Sequence, residues 1–201
     1  MEMSRCTRCG HDVLDRMPED LCPFCLLTAG RSVDYTIVNI LGRGAHGTIY
    51  LAEQQPTHRL VTVKVLRDVS ATAATVERLR RNRHALDTWS HPNVARLIET
   101  GLTNDRRPYL IREYVRGLPI TVHCERSRSD QSARQRLLVR VADVIAQAHD
   151  RGMTHGGIRP SNVFIVSRAG EAVVKVLDFG ERLASPADDI AALDRLTAEL
   201  L

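Results

Sequence analysis

Four cysteines near the start of the chain have the types and spacing to hold a metal. They fall as Cys6-Thr7-Arg8-Cys9 and Cys22-Pro23-Phe24-Cys25, with twelve residues between the pairs. A CxxC turn aims two thiolates at one point, and two such turns close a tetrahedral four-sulfur shell around Zn²⁺. Gly10 permits the tight backbone of a knuckle after the first pair. A closed shell leaves no open coordination position, so the zinc read here is structural and not catalytic. Disulfides or free thiols are the other reading of the same four residues. They are disfavoured in a chain whose first residues carry Cys6, Cys9, His11 and Asp12 where a secretory signal places an apolar run. A redox CxxC wants a strand and a helix around it, and this segment is loop-rich. Cys124 stands alone and reads as a small buried apolar residue.

A second group has the makings of a phosphate site. Gly42-Arg43-Gly44-Ala45-His46-Gly47 lies between a strand over Ile37 to Leu41 and a second strand through Tyr50, Leu51 and Ala52. Three glycines between strands let the backbone fold over a phosphate chain, whereas a dinucleotide-binding loop would enter a helix. A plain glycine-rich hairpin has the same letters. Leu60 to Leu66 is a third apolar strand carrying one lysine, Lys64, which by itself reads as a surface residue on an edge strand.

Further blocks follow in order: Ser90-His91-Pro92-Asn93-Val94, Tyr109 to Val115, His155-Gly156-Gly157-Ile158-Arg159-Pro160-Ser161-Asn162, and Lys175-Val176-Leu177-Asp178-Phe179-Gly180. Taken with the glycine loop, the chain from residue 35 to about 201 resembles a bacterial serine/threonine protein kinase. The resemblance implies an α+β, two-lobed fold: a five-stranded N-lobe with one helix (35–115) and a shortened helical C-lobe (116–201), behind a zinc ribbon or knuckle at 1–30. It implies that Gly42, Gly44 and Gly47 cover nucleotide phosphates and that Lys64 reaches the α- and β-phosphates. Asn162 and Asp178 are implied to hold Mg²⁺, and the backbone from Glu113 to Val115 to meet the adenine edge of ATP. Leu137 to His149 is an apolar-periodic helix leading into the His155 loop.

The departures from that pattern are specific. Gly157 stands where the family has the aspartate that orients the substrate hydroxyl, and Gly156 where it has an arginine. Arg159 replaces a phosphate-contacting lysine. Counting back from His91-Pro92, the helix glutamate that pairs with the lysine falls on Asn82, whose amide can hydrogen-bond Lys64 but cannot pair its charge. Glu77 is a poor substitute, since five helical residues turn it roughly 140° away. Thr62 and Arg112 touch the positions of the adenine pocket. A buried Arg112 needs an acid such as Glu99, or must reach out to water. Loss of a general base costs on the order of 10²–10⁴ in rate. After Asp178-Phe179-Gly180 almost no activation segment precedes a run from Asp188 to Leu201 that looks like the family's central C-lobe helix. The expectation is a degenerate remnant or a piece of a longer kinase, with the face of Ile190, Leu193, Leu196 and Leu200 partly uncovered and inviting a partner.

The elements that must position these residues belong to an ordinary globular chain. It has 201 residues, 43% apolar and 26% charged, enough for one core and a satellite. No apolar stretch approaches the roughly 20 residues of a membrane helix, and a cytoplasmic location is expected. The net charge of +4 comes from arginine, clustered at Arg78, Arg80, Arg81 and Arg83 and again at Arg126, Arg128, Arg134, Arg136 and Arg140. Few aromatics interleave with them, so they read as solvated helix faces before they read as a nucleic-acid surface. Three functions are carried forward. The leading one is a pseudokinase that binds Mg-ATP and acts as a regulatory or scaffolding module with protein partners. The others are a weak serine/threonine kinase and a zinc-ribbon adaptor for protein or nucleic acid.

Overall fold

The computed structural model describes residues 3–5, 12–14, 35–44, 47–67, 73–103, 106–180 and 184–201. Cys6, Cys9, Cys22 and Cys25, and with them the zinc site read from the sequence, lie outside the described residues. Next to them in sequence, β1 (Met3–Arg5) and β2 (Asp12–Leu14) pair antiparallel.

The described chain divides into two compact units. Residues 1–80 and 97–114 make the first, and residues 81–96 and 115–201 the second. The first is built on a five-stranded antiparallel sheet in the order β3-β4-β5-β7-β6, from β3 (Tyr35–Gly44), β4 (Gly47–Gln54), β5 (Arg59–Leu66), β6 (Leu97–Leu102) and β7 (Pro108–Glu113). The period of two along each strand sorts the side chains. Tyr50, Ala52, Val61, Val63, Val65, Tyr109 and Ile111 share one face and form its core, backed by Tyr35, Ile37, Ile40 and Ile98. The carboxylate of Glu99 accepts the hydroxyls of Tyr109 (2.7 Å) and Tyr35 (3.2 Å), which ties the first strand of the sheet to the last two.

Helix α1 (Ala73–Trp89) runs from the first unit into the second. The second unit continues with β8 (Leu118–Pro119), α2 (Ile120–Arg126), α3 (Gln131–His149), a 3₁₀ turn (Pro160–Asn162), β9 (Val163–Arg168), β10 (Glu171–Val176) and α4 (Pro186–Leu200). Leu137, Leu138, Val141, Val144, Ile145 and Ala148 form one stripe of α3 and meet Ile120, Cys124, Ile165, Val174, Ala192, Leu196 and Leu200. α3 starts six residues before the periodic stretch read from the sequence, because Asp130 caps it by accepting from the Ala133 amide at 2.7 Å. α4 starts at Pro186 because Ser185 and Asp188 form a reciprocal capping box. Two hydrogen bonds to Ser185 hold the Asp188 carboxyl below the usual carboxylate range. His91, ahead of the single bridge between Val94 and Val176, accepts the Asn93 amide on Nδ1 at 3.1 Å. Burial, then the charges of Arg151 and Lys175, push its imidazole below the ordinary value, against an opposing hydrogen bond to Gln147.

The face expected to lie open on α4 is mostly covered. Ala192, Leu196 and Leu200 are buried at 4%, 1% and 2% exposure, and Leu193 packs against them, whereas Ile190 is 55% exposed. The inward stripe is led by Asp189, one position before Ile190, and the helical turn of 100° per residue carries Ile190 outward. Leu196→Ala should therefore cost about 2–5 kcal/mol, and Ile190→Ala under about 0.5 kcal/mol, in urea unfolding followed by circular dichroism. Equal costs would contradict this packing.

Candidate functional site

In the first unit two of the residues singled out for phosphate chemistry, Gly42 and Lys64, sit in one row. Gly42 pairs with Ile49, Ile49 with Lys64, and Lys64 with Leu110, so the register carries a line across four strands. Lys64 is 7% exposed and not the surface residue that an isolated strand lysine would be. It shares a face with Thr62 and Arg112, which are paired across β5 and β7, opposite the apolar core. Arg112 is also buried. Glu99, the acid considered for it, pairs with Ile111 across β6 and β7 and accepts the Tyr109 hydroxyl.

The three glycines differ in what they do. A side chain at Gly42 or Gly44 would meet nothing within 4 Å, so both leave open backbone at the end of β3. Gly47 has φ +149°, and a Cβ there would collide with the Val65 carbonyl, so its lack of a side chain lets β4 lie against β5. Glu113 ends β7, and the boundary between the units falls between Tyr114 and Val115, within the stretch expected to meet an adenine.

In the second unit the loop from His155 to Asn162 is held by its backbone. The Asp189 side chain is fully buried. It accepts the His155 amide (2.7 Å) and the His149 ring (3.0 Å) on Oδ2, and the Gly156 amide (2.9 Å) on Oδ1. Gly156 takes φ +78°, a conformation natural to glycine. Asn162, also buried, donates to the Gly157 carbonyl (2.8 Å) and accepts the Arg159 amide (2.9 Å). Its backbone carbonyl takes the Leu177 amide (2.8 Å), which places Asp178 beside this loop. Asp178 has φ +66°, a sparsely populated region for a residue with a side chain and one that concentrates at functional sites. Phe179 is buried against the rings of His155 (4.7 Å between centroids) and Trp89 (5.7 Å, edge-on).

Asn162, Gly157 and Asp178 are thus brought into one hydrogen-bonded framework, and Gly42 and Lys64 into one row of the sheet. Asn82, read as a stand-in for a glutamate near Lys64, instead donates its amide N–H to the Gly180 carbonyl. Of the arginines read as solvated faces, Arg126, Arg128, Arg136 and Arg140 are exposed. Arg134 is not: it bonds the carbonyls of Ser129 (3.1 Å) and Leu200 (2.8 Å), joining the start of α3 to the end of α4. The sequence reading missed Asp189 as an anchor. Its signal was present, since Asp189 stands three, seven and eleven residues before Ala192, Leu196 and Leu200, a charge on an apolar stripe.

A buried carboxylate that satisfies two backbone donors is costly to remove, because the donors stay behind without a partner. Asp189→Asn should lower stability by about 3 kcal/mol and His149→Ala by about 1 kcal/mol, read from denaturant midpoints. An unchanged midpoint for Asp189→Asn would refute the anchoring role.

The comparisons with known proteins agree with this architecture. The protein kinase domain family matches residues 35–188. The serine/threonine-protein kinases pkn2 and Pkn1 of Myxococcus xanthus are 33% and 34% identical over 168 and 156 residues, or 83% and 77% of this chain. The chain spans 20% and 22% of the length of those two relatives. Crystal structures of the Mycobacterium tuberculosis PknI kinase domain superpose with TM-scores of 0.68 and 0.65 at 22% and 23% identity, each covering 83% of this chain and 71% and 73% of theirs. That likeness supports the kinase-like fold, a sheet-based N-lobe and a helical C-lobe. On the matched span, its motifs and its fold, the chain belongs to the protein kinase domain family.

Proposed function

We propose that this chain is a pseudokinase: a kinase-like module that binds Mg-ATP and regulates or scaffolds protein partners, with little or no phosphoryl transfer of its own. The observation that carries the reading is Gly157. It stands at the position of the catalytic carboxylate, and its carbonyl still receives Asn162, so the framework around a metal ligand is kept without the group that orients an acceptor hydroxyl.

The donor set suits the ligand. Asp178 and Asn162 offer hard oxygens, the class Mg²⁺ takes, and Asn162 Oδ1 accepts one amide and retains a second lone pair. When bound, Mg²⁺ would neutralise phosphate charge. In the roles the family gives these positions, Gly42, Gly44 and Gly47 cover the phosphates, Lys64 contacts them, and Glu113 and Val115 meet the adenine. Residues 35–201 form the kinase-like domain in this reading. Residues 1–30 form a structural zinc head in which Cys6, Cys9, Cys22 and Cys25 are the ligands, as a reducing cytoplasm permits. No helix among the described residues is long and apolar enough to cross a membrane.

A melting-temperature series with ATP, with and without Mg²⁺, tests the nucleotide site. A ligand that binds only the folded chain stabilises it by RT ln(1 + [L]/Kd), about 2.7 kcal/mol at a hundredfold excess over Kd. A shift that disappears in Lys64→Ala is expected, with no transfer of labelled phosphate to protein. Robust transfer abolished by Lys64→Met would instead make the chain a working serine/threonine kinase, and no shift would remove the nucleotide from the proposal. For the head, elemental analysis should find one zinc per chain, lost in Cys6→Ser with Cys22→Ser. Zinc retained in that double variant would refute the ligand set.

A further inference from the structure

We propose that Asn82 is a positioning residue that locks the Asp178-Phe179-Gly180 segment to α1, and that an amide, not a carboxylate, is the group this lock requires. The proposal deepens the nucleotide-binding reading above and rests on it for its meaning, though not for one of its tests.

The contact is specific. The Asn82 side chain is half-buried and donates its amide N–H to the carbonyl of Gly180. Gly180 sits at φ +68°, and a Cβ there would lie 2.6 Å from Asn82 Nδ2 and 2.9 Å from its Cγ, so the two residues meet with no room for a side chain between them. On its other side the Gly180 amide donates to the His155 carbonyl at 3.0 Å. The peptide groups after the metal residue are therefore held from both directions, by α1 and by the loop that Asp189 anchors.

α1 touches the segment a second time. Trp89 lies seven residues beyond Asn82, two helical turns on and so on the same face, and its ring meets Phe179 edge-on. Asp178 itself is in a left-handed conformation that a non-glycine residue keeps only when its surroundings impose it. The Leu177 amide on Asn162 fixes the chain just before Asp178, and Asn82 with His155 fixes it just after.

This changes the meaning of the substitution. A carboxylate has no proton to offer a carbonyl oxygen, so the glutamate that the kinase resemblance places here would set a negative charge against Gly180 and break the contact. Asn82 is in this chain a donor with a job of its own, and Asp178 depends on it for orientation toward Mg²⁺.

The test uses the full chain with Asn82→Asp, which keeps the size and removes the donor, Asn82→Glu, and Asn82→Gln, which keeps the donor on a longer arm. Trp89 is the only tryptophan, so acrylamide quenching of its emission reports on the contact with Phe179 without any ligand. At unchanged helicity, Asn82→Asp and Asn82→Glu should make Trp89 more accessible, while Asn82→Gln stays near the wild type. In nucleotide titrations, the gain in ATP affinity given by Mg²⁺ should fall about threefold to tenfold in Asn82→Asp, the worth of one hydrogen bond, with metal-free affinity unchanged. Quenching of Asn82→Asp equal to the wild type, or tighter Mg-ATP binding by Asn82→Glu, would overturn the proposal. If the wild type binds no nucleotide, the functional reading falls, and Trp89 quenching alone decides whether the lock exists.

Discussion

One buried carboxylate organises the second unit. Asp189 has no contact with water, and its two oxygens are shared among the amides of His155 and Gly156 and the ring of His149. A charge in that position is tolerable only while its partners are in place, so the start of α4, the end of α3 and the His155 loop form together or not at all. From that anchor the constraint passes along the backbone. His155 receives Gly180 through its carbonyl, Asn162 receives Leu177, and Asp178 and Phe179 lie between these two attachments. The local strain at Asp178 follows from being pinned on both sides.

The first unit solves a different problem with plainer means. Its sheet must present a cation and open backbone on one face while keeping the other apolar. Strict alternation achieves it: Val61, Val63 and Val65 point to the core, and Thr62 and Lys64 to the opposite face. A glycine at 47 brings β4 close to β5, and the register then sets Gly42 and Lys64 in one line. The alternation and the close approach together place the lysine without any loop to steer it.

Much of this was legible beforehand, for identifiable reasons. The first three strands of the sheet and α3 follow from apolar patterning, whereas the five-stranded sheet was implied by the kinase-like order of motifs. Helix starts were less legible, because Asp130 and Ser185 act through caps rather than through apolar spacing. Asp189 was missed because an acidic residue in a first helical turn ordinarily signals a solvated end, and only its phase against Ala192, Leu196 and Leu200 betrays burial. The partner of Asn82 was illegible for a deeper reason. Counting motif positions says which residue replaces a glutamate, but a backbone carbonyl has no letter, so the replacement's own hydrogen bond leaves no mark in the sequence.

The placement of Lys64 among three valines has a consequence for how the chain finds its fold. Slipping β5 by a single residue would turn the ammonium into the apolar layer and bring Val63 and Val65 out of it. Each slip by an odd number of residues therefore sets a charge in the apolar layer, which the native pairing avoids. The lysine acts as an index mark on the strand, discouraging off-register intermediates during assembly of the sheet. That gives a cation at this position a role in folding that is separate from any contact with phosphate.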